Sequence, residues 1–153
     1  MTRYVTVEQP DLVAAPPART FRLQVTAVPV AKPRPRVGNG RVYTPTNARQ
    51  AEWEIAQAWE RRYPGQAPLM GAVELEVVVF IVQPASIPKF RRQTARPVTR
   101  PDADNYAKTV LDALNSVAYR DDAQVVRLVV EKRYAVGVAP HWEIELTGLE
   151  VER

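Results

Sequence analysis

The sequence predicts a single α/β domain of the α+β kind, in which two main helices and a small mixed sheet follow the order β-α-β-α-β-β. The length of 153 residues is suited to one domain. Several stretches alternate apolar and polar side chains, as strands do, and two others repeat apolar residues at helical spacing. We expect an N-terminal arm over residues 1–20 and the folded domain over residues 21–150.

The first strand and the first helix are separated by a basic loop. Residues 21–28 alternate, which predicts a strand with one buried face. The prolines and the Gly-Asn-Gly sequence that follow predict a loop. Thr46 or Asn47 can then cap a helix that continues to about Arg62. Its apolar side consists of Ala48, Ala51, Ile55, Ala58 and Trp59.

The second half of the chain begins with the clearest strand, residues 72–82, which becomes apolar on both faces as a central strand would. A basic, proline-containing loop leads to a second helix from Asp104 to about Ser116. Residues 125–134 and residues 141–147 alternate again, and we expect them to form a C-terminal strand pair. We expect the tryptophans to pack in the core: Trp53, Trp59 and Trp142.

Composition excludes several kinds of site. The chain has no cysteine, which excludes disulfides, thiolate metal sites and cysteine nucleophiles. His141 is the only histidine in the sequence, so a site that needs two imidazoles is excluded as well. The N-terminus lacks the apolar core of a signal peptide, and the longest apolar run, Val77 to Val82, is too short to span a bilayer. We therefore expect a cytoplasmic protein that does not enter a membrane.

The basic residues are concentrated in two stretches. The net charge is +4, and 12 of the 21 lysines and arginines lie in two segments without any acid, residues 12–51 and residues 83–101. Such segments favour binding to a polyanion, although two solvated loops would show the same pattern. The residues that we expect to contact DNA phosphates are Lys32, Arg34, Arg36, Arg91, Arg92, Arg96 and Arg100.

A group of acidic residues surrounds the start of the second helix. A proline favours extended backbone before it, so Asp102 precedes the helix and Asp104 can be its N-cap. Lys108 follows one turn later on the polar side of the helix. The turn after the helix contains a second acidic pair, Asp121 and Asp122, just before the next strand.

Three of these carboxylates, with a lysine beside them, indicate a site for a hard cation. Asp102, Asp104 and Asp122 supply oxygen ligands, for which Mg²⁺ is the expected ion and Mn²⁺ a substitute. Phosphodiester hydrolysis needs this combination, because a bound ion lowers the pKa of the attacking water and Lys108 adds positive charge at the phosphate. Taken singly, each aspartate is more simply interpreted as a structural or solvated residue.

The same stretch resembles the signature of RusA-type Holliday junction resolvases. The family pattern, approximately D-x-D-N-x-x-K with L-D-A-L and then D-D-x-Q-V, matches PDADNYAKTVLDALN and DDAQV in this chain. Lys32 to Arg36 (KPRPR) and Val42 to Pro45 (VYTP) also resemble the first loop of phage-type members. The resemblance covers about residues 21–147 and implies a RusA-like fold in a bacterial or phage-encoded protein.

The resemblance implies a Mg²⁺-dependent endodeoxyribonuclease that resolves four-way and other branched DNA as a homodimer. It places metal binding on Asp102, Asp104 and Asp122, and catalysis on these three residues and Lys108. Residues in supporting roles would be Asn105, Asp112 and Asp121. The first 20 residues and the 84–101 loop depart from the compact family pattern, which leaves the substrate range and the cleavage preference open.

Two other functions stay open on the sequence alone. A non-catalytic module of the same fold would bind branched DNA without cutting it, although the complete set of acids favours an enzyme. A phosphatase of the haloacid dehalogenase type also uses an Asp-x-Asp motif, but there the motif directly follows an apolar strand. Tyr43 and Phe90 lie in the basic loops, where they either stack on exposed bases or anchor the loops.

Overall fold

The computed structural model describes residues 18–33, 37–38, 41–42 and 46–149, with the backbone alone at residues 37–38 and 41–42. The strands and helices are β1 (Ala18–Val25), β2 (Val37–Gly38), β3 (Arg41–Val42), α1 (Thr46–Arg62), β4 (Val73–Val82), α2 (Ala103–Leu114), β5 (Val125–Ala135) and β6 (His141–Leu149). Two 3-10 turns lie at Lys89–Arg91 and Asp122–Gln124. Over these ranges, no helix combines the length and the apolar character that a membrane crossing requires.

Four strands form one mixed sheet in the order β1-β6-β4-β5. Strand β6 is antiparallel to both β1 and β4, whereas β5 is parallel to β4 and is reached through α2. The predicted α+β class and the central position of β4 are confirmed. The predicted C-terminal strand pair is wrong, because β4 lies between β5 and β6. Alternation marks the buried face of a strand and carries no information about which strand lies beside it.

Two element boundaries differ from the sequence prediction. Strand β1 begins at Ala18, inside the predicted arm, and pairs with β6 from there onward. Residues 1–17 of that arm lie outside the described residues. Helix α2 begins at Ala103, and its N-cap is Asp102 rather than Asp104, because Asp102 is the last residue with extended backbone. Asp104 therefore lies in the first helical turn, where the helix dipole favours a carboxylate.

Both helices pack on one face of the sheet and bury it. The inward strand residues are Phe21, Leu23, Val25, Val73, Leu75, Val77, Val79, Trp142, Ile144 and Leu146. The helices contribute Ala48, Ala51, Ile55, Trp59, Tyr106, Ala107, Val110, Ala113 and Leu114. Trp59 and Trp142 are buried as predicted, but Trp53 is 56% exposed, because it lies on the solvent side of α1.

The other face of the sheet is polar and partly exposed to solvent. It carries the glutamates Glu74, Glu76, Glu143 and Glu145. Arg22 pairs with Glu145 at 2.7 Å, and Arg127 pairs with Glu76 at 2.6 Å. Exposed pairs of this kind contribute little to stability. The face is nonetheless dominated by acids, which matters for where a polyanion can bind.

Helix α2 is fastened to the segment that follows β1. Thr109, which is fully buried, donates a hydrogen bond from its hydroxyl to the carbonyl of Val30 at 2.8 Å. One turn earlier, the carbonyl of Asn105 accepts a hydrogen bond from the backbone N–H of Lys32 at 3.0 Å. These two bonds hold Lys32 alongside the first half of α2.

Replacing Thr109 by Val should lower the free energy of unfolding by about 1–3 kcal/mol, because a buried carbonyl loses its donor while the side chain keeps nearly the same volume. Amide hydrogen exchange at Lys32 should also become faster, since its segment is then held by fewer bonds. Urea unfolding and exchange measured by mass spectrometry test the two effects. Thr147→Val, on the outer face of the sheet, is the matched control and should stay within about 0.5 kcal/mol of wild type. Unchanged stability and exchange in Thr109→Val would contradict this anchoring.

Candidate active site

Helix α2 carries its charged side chains on the side away from the sheet. Asp104, Lys108 and Asp112 follow one another at intervals of four residues, which places them along one line of the helix surface. The 3-10 turn Asp122–Gln124 comes next to this line at the start of β5. The crossover from β4 to β5 therefore returns the acidic turn to the side of α2.

Lys108 lies between two carboxylates. Its Nζ atom is 2.8 Å from Asp112 Oδ1 and 3.6 Å from Asp122 Oδ2. The Lys108 side chain is 51% exposed, so its ammonium group stays accessible to a ligand from solvent. The structure thus brings one predicted catalytic lysine, one predicted metal ligand and one predicted supporting residue into a single group.

A second lysine extends this group to α1. Lys32 Nζ donates hydrogen bonds to Asp112 Oδ2 and to Glu52 Oε1, the latter at 2.7 Å. The three side chains are only 19–21% exposed. Asp112 therefore accepts one lysine on each oxygen. The sequence predicted Lys32 as a contact to DNA, whereas the structure places its ammonium between two carboxylates of the site.

These contacts shift the protonation equilibria of the groups that share them. The hydrogen bond to Asp112 raises the pKa of Lys108 above its usual value. Burial alone would raise the pKa of Asp112 and lower that of Lys32. The hydrogen bonds among these groups and Glu52 outweigh burial, so the pKa of Asp112 falls and that of Lys32 rises. Asp112 and both lysines are charged at neutral pH, and the group is a continuous chain of ion pairs.

The turn that carries Asp122 is fixed by its neighbours. Asp121 accepts a hydrogen bond from the backbone N–H of Ala123 at 2.8 Å. Gln124 Oε1 accepts one from the backbone N–H of Asp121 at 2.9 Å, which completes a capping box. The side-chain amide of Gln124 also donates to two backbone carbonyls in the segment before β4. Asp121 thus stabilises the turn, whereas Asp122 faces Lys108.

Asp102 and Asp104 are both exposed at the start of α2. Asp104 is one turn, about 6 Å of helix rise, from Lys108, in the direction opposite to Asp112. Among the described residues, no group of three acidic or histidine side chains is close enough together to hold a metal ion. The predicted ligands therefore do not form a closed cage. Their oxygen chemistry fits Mg²⁺, which keeps several waters and usually binds through one or two carboxylates together with substrate phosphates.

The loop between β4 and α2 is tied down near both ends. Gln83 Nε2 donates to the carbonyl of Arg92 at 2.9 Å, close to the end of β4. Lys132 Nζ, on β5, donates to the carbonyls of Thr99 at 2.9 Å and Pro101 at 3.0 Å. The backbone immediately before α2 is therefore held against β5.

The residues predicted to contact DNA occupy different settings. Arg91, Arg96 and Arg100 are exposed, whereas Arg92 is half-buried and donates from Nε to the carbonyl of Ile87 at 3.3 Å. Three residues named from the sequence lie outside the described residues: Arg34, Arg36 and Tyr43. The exposed arginines belong to the loop that leads into α2, so they are accessible to a polyanion beside that helix.

Three residues of this region were not singled out from the sequence: Glu52, Gln124 and Lys132. Gln124 had a local signal, since an acidic residue followed three positions later by glutamine is a capping box. Glu52 and Lys132 had no such signal, because each is a single charged residue on the surface of a helix or strand. Their partners are distant in the chain, 20 residues away for Glu52 and 31–33 residues away for Lys132.

Comparison with known proteins adds one family and one relative. A family model described as "Endodeoxyribonuclease RusA" matches residues 26–147, a range that includes every side chain of the group around Lys108. The chain is also 34% identical over 126 residues to YqaN of Bacillus subtilis (strain 168), which is described as an uncharacterized protein. That alignment covers 75% of this chain and 88% of YqaN.

Replacing Asp112 by Asn should make the stability less dependent on acid. The pKa of Asp112 is lower in the folded chain than its ordinary value of 3.8. Its ion pairs therefore stabilise the fold above that value, and this contribution is lost as the pH falls through the lowered pKa. At neutral pH the variant should be about 1–3 kcal/mol less stable than wild type. The difference should shrink below about pH 3, and urea unfolding at a series of pH values measures it.

The matched control for this experiment is Glu60→Gln, an acid-to-amide change at an exposed position of α1. It should stay close to wild type at every pH, since an exposed carboxylate has little effect on stability. If Asp112→Asn differed from wild type by the same amount at neutral and at acid pH, the ionised carboxylate of Asp112 would not be what stabilises the group.

Proposed function

We propose a function for this chain from one premise: it belongs to the RusA family of endodeoxyribonucleases. Within that family, we propose a structure-selective endonuclease that resolves Holliday junctions and other branched DNA by metal-dependent hydrolysis of phosphodiester bonds. The observation that carries the proposal is the half-exposed ammonium group of Lys108, which Asp112 and Asp122 hold at the side of α2.

Lys108 supplies positive charge to the reacting phosphate. The hydrogen bond to Asp112 raises the pKa of Lys108, so the side chain stays protonated throughout the neutral range. An ammonium group at a phosphate stabilises the negative charge that develops on the phosphate oxygens as the attacking water bonds to phosphorus. Asp112 contacts the two lysines, and we assign it the role of a positioning residue that directs Lys108.

We propose that Asp102, Asp104 and Asp122 provide the oxygen ligands for Mg²⁺, for which Mn²⁺ can substitute. A bound divalent ion lowers the pKa of a coordinated water and neutralises charge on the phosphate. Asp122 is beside Lys108, and Asp104 lies one helical turn from it, so both flank the place where a phosphate would approach the ammonium group.

We propose four-way DNA as the partner and a homodimer as the active form. Resolution of a four-way junction requires two symmetric cuts, and a two-fold dimer would present one copy of the Lys108 site to each of the two strands. Exposed arginines in the loop before α2 would contact phosphates, which position the enzyme on the branch without reading base sequence.

Replacing Asp102, Asp104 or Asp122 by Asn should reduce cleavage at least ~10²-fold, the scale of losing one electrostatic contact to a reacting group. The measurement is incubation of end-labelled four-way junction, flap and linear duplex with Mg²⁺ or with EDTA. Wild type should make paired, symmetric nicks in the junction with Mg²⁺ and none with EDTA. Junction binding in EDTA should stay at the wild-type level or improve, because each variant removes negative charge.

The control for cleavage is Glu60→Gln, which makes the same chemical change on α1 at an exposed position. Binding of Mn²⁺ to the protein, followed by electron paramagnetic resonance, gives a readout that is independent of cleavage and should weaken in the three aspartate variants. Full cleavage by each single variant would overturn the assignment of the aspartates. Tight junction binding by wild type without any cleavage would instead favour a non-catalytic branched-DNA-binding module.

Binding to the junction should depend steeply on salt. If the protein neutralises about 6–10 phosphates, the affinity should fall by ~10³–10⁵ between about 50 and 200 mM salt, because counterions released from DNA drive the association. Replacing Arg91 by Gln should reduce the slope of log K against log salt by about 1. Fluorescence anisotropy with a labelled junction in EDTA measures both. An affinity that does not change with salt would contradict phosphate recognition by the basic loops.

A further inference from the structure

Phe90 is an aromatic side chain displayed to solvent. Its exposed fraction is 84%, and it occupies the middle of the 3-10 turn Lys89–Arg91 in the loop between β4 and α2. A phenylalanine whose role was to anchor the loop would be buried, because that is how an apolar side chain stabilises a structure. The exposure therefore excludes one of the two interpretations of Phe90 and directs attention to a ligand for its ring.

The backbone that carries Phe90 is held in place. The N–H of Arg91 donates to the carbonyl of Pro88 at 2.9 Å, and the carbonyl of Arg92 accepts from the side chain of Gln83 at 2.9 Å. Arg92 also donates from its Nε atom back to the loop backbone. A ring displayed on a fixed turn pays less conformational entropy when it binds a partner.

The charges around Phe90 identify the chemistry of the partner. Lys89 and Arg91 flank it directly and are both exposed. The loop from residue 83 to residue 101 contains five basic residues and no acid. Aromatic side chains among basic residues are the usual means of binding unpaired nucleotides, in which the bases stack and the cations meet the phosphates. An apolar protein partner would instead require a continuous apolar patch, and the flanking charges interrupt one here.

The far end of the same loop leads into the proposed catalytic residues. Lys132 holds the carbonyls of Thr99 and Pro101, and Pro97 is buried, so the backbone is fixed again directly before Asp102. A base bound at Phe90 would thus be held by the element that also positions the start of α2. We propose that Phe90 is a stacking site for one unpaired nucleobase at the branch point of the DNA, and this inference rests on the proposed function.

The test compares Phe90→Ala with wild type for binding to a four-way junction and to linear duplex, in EDTA so that no cleavage occurs. Loss of one stacked base should weaken junction binding ~5–150-fold and leave duplex binding unchanged. Phe90→Trp keeps an aromatic face and should restore junction binding. A junction that carries 2-aminopurine at the branch should increase in fluorescence with wild type, as the base leaves the DNA stack, and should not do so with Phe90→Ala.

The matched control is Val98→Ala, which shortens another apolar side chain of the loop that is 89% exposed but has no ring. It should bind both DNAs as wild type does. Because Phe90 is exposed, its replacement should leave the thermal unfolding temperature unchanged, which is checked for each variant. Wild-type junction affinity in Phe90→Ala, or an equal loss for junction and duplex, would overturn the proposal. A protein that needs Phe90 to bind the junction but never cuts it would overturn the endonuclease function and leave the stacking site intact.

Discussion

The carboxylate of Asp112 is the group on which the rest of the site depends. One of its oxygens holds Lys108, which reaches the acidic turn before β5, and the other holds Lys32, which reaches α1 through Glu52. A carboxylate that is only 19% exposed and loses such partners keeps its charge where little water can reach it. That cost exceeds what an exposed ion pair contributes. The direction of Lys108 and the contact between the two helices are therefore coupled through a single side chain.

The distribution of charge decides which side of the molecule a polyanion can meet. Four glutamates lie on the open face of the sheet, and the cations of α2 and of the loop before it lie elsewhere. Unlike charges attract and like charges repel over about 10 Å at ordinary salt, so the glutamate face is disfavoured for DNA. The proposed active site and the exposed arginines share the favourable side. A phosphate backbone guided by the loop is thus brought toward Lys108 rather than toward the sheet.

Much of the fold could be predicted because burial repeats with the period of each element. The inward residues of β1 and β6 are those that the alternation marked, and the apolar side of α1 is buried except at Ala58, which is half-buried. Pairing order could not be predicted, because β4 presents apolar residues on both faces and accepts a neighbour on either edge.

Local spacing had the same strength and the same limit at the candidate site. It located Asp104, Lys108 and Asp112 on one helix line. The contact from Lys32 to Glu52 joins a loop to a helix, so only the folded chain contains it.

The two contacts of Lys108 differ in a way that suits two roles for the neighbouring aspartates. Asp112 Oδ1 is 2.8 Å from the ammonium nitrogen, a hydrogen-bond distance, while Asp122 Oδ2 is 3.6 Å away and is attracted mainly by charge. Asp112 also has Lys32 on its second oxygen, so both of its oxygens are engaged. Asp122 can therefore turn toward another cation while Lys108 stays bound to Asp112. This asymmetry is what lets one aspartate direct the lysine and leaves the other available as a ligand.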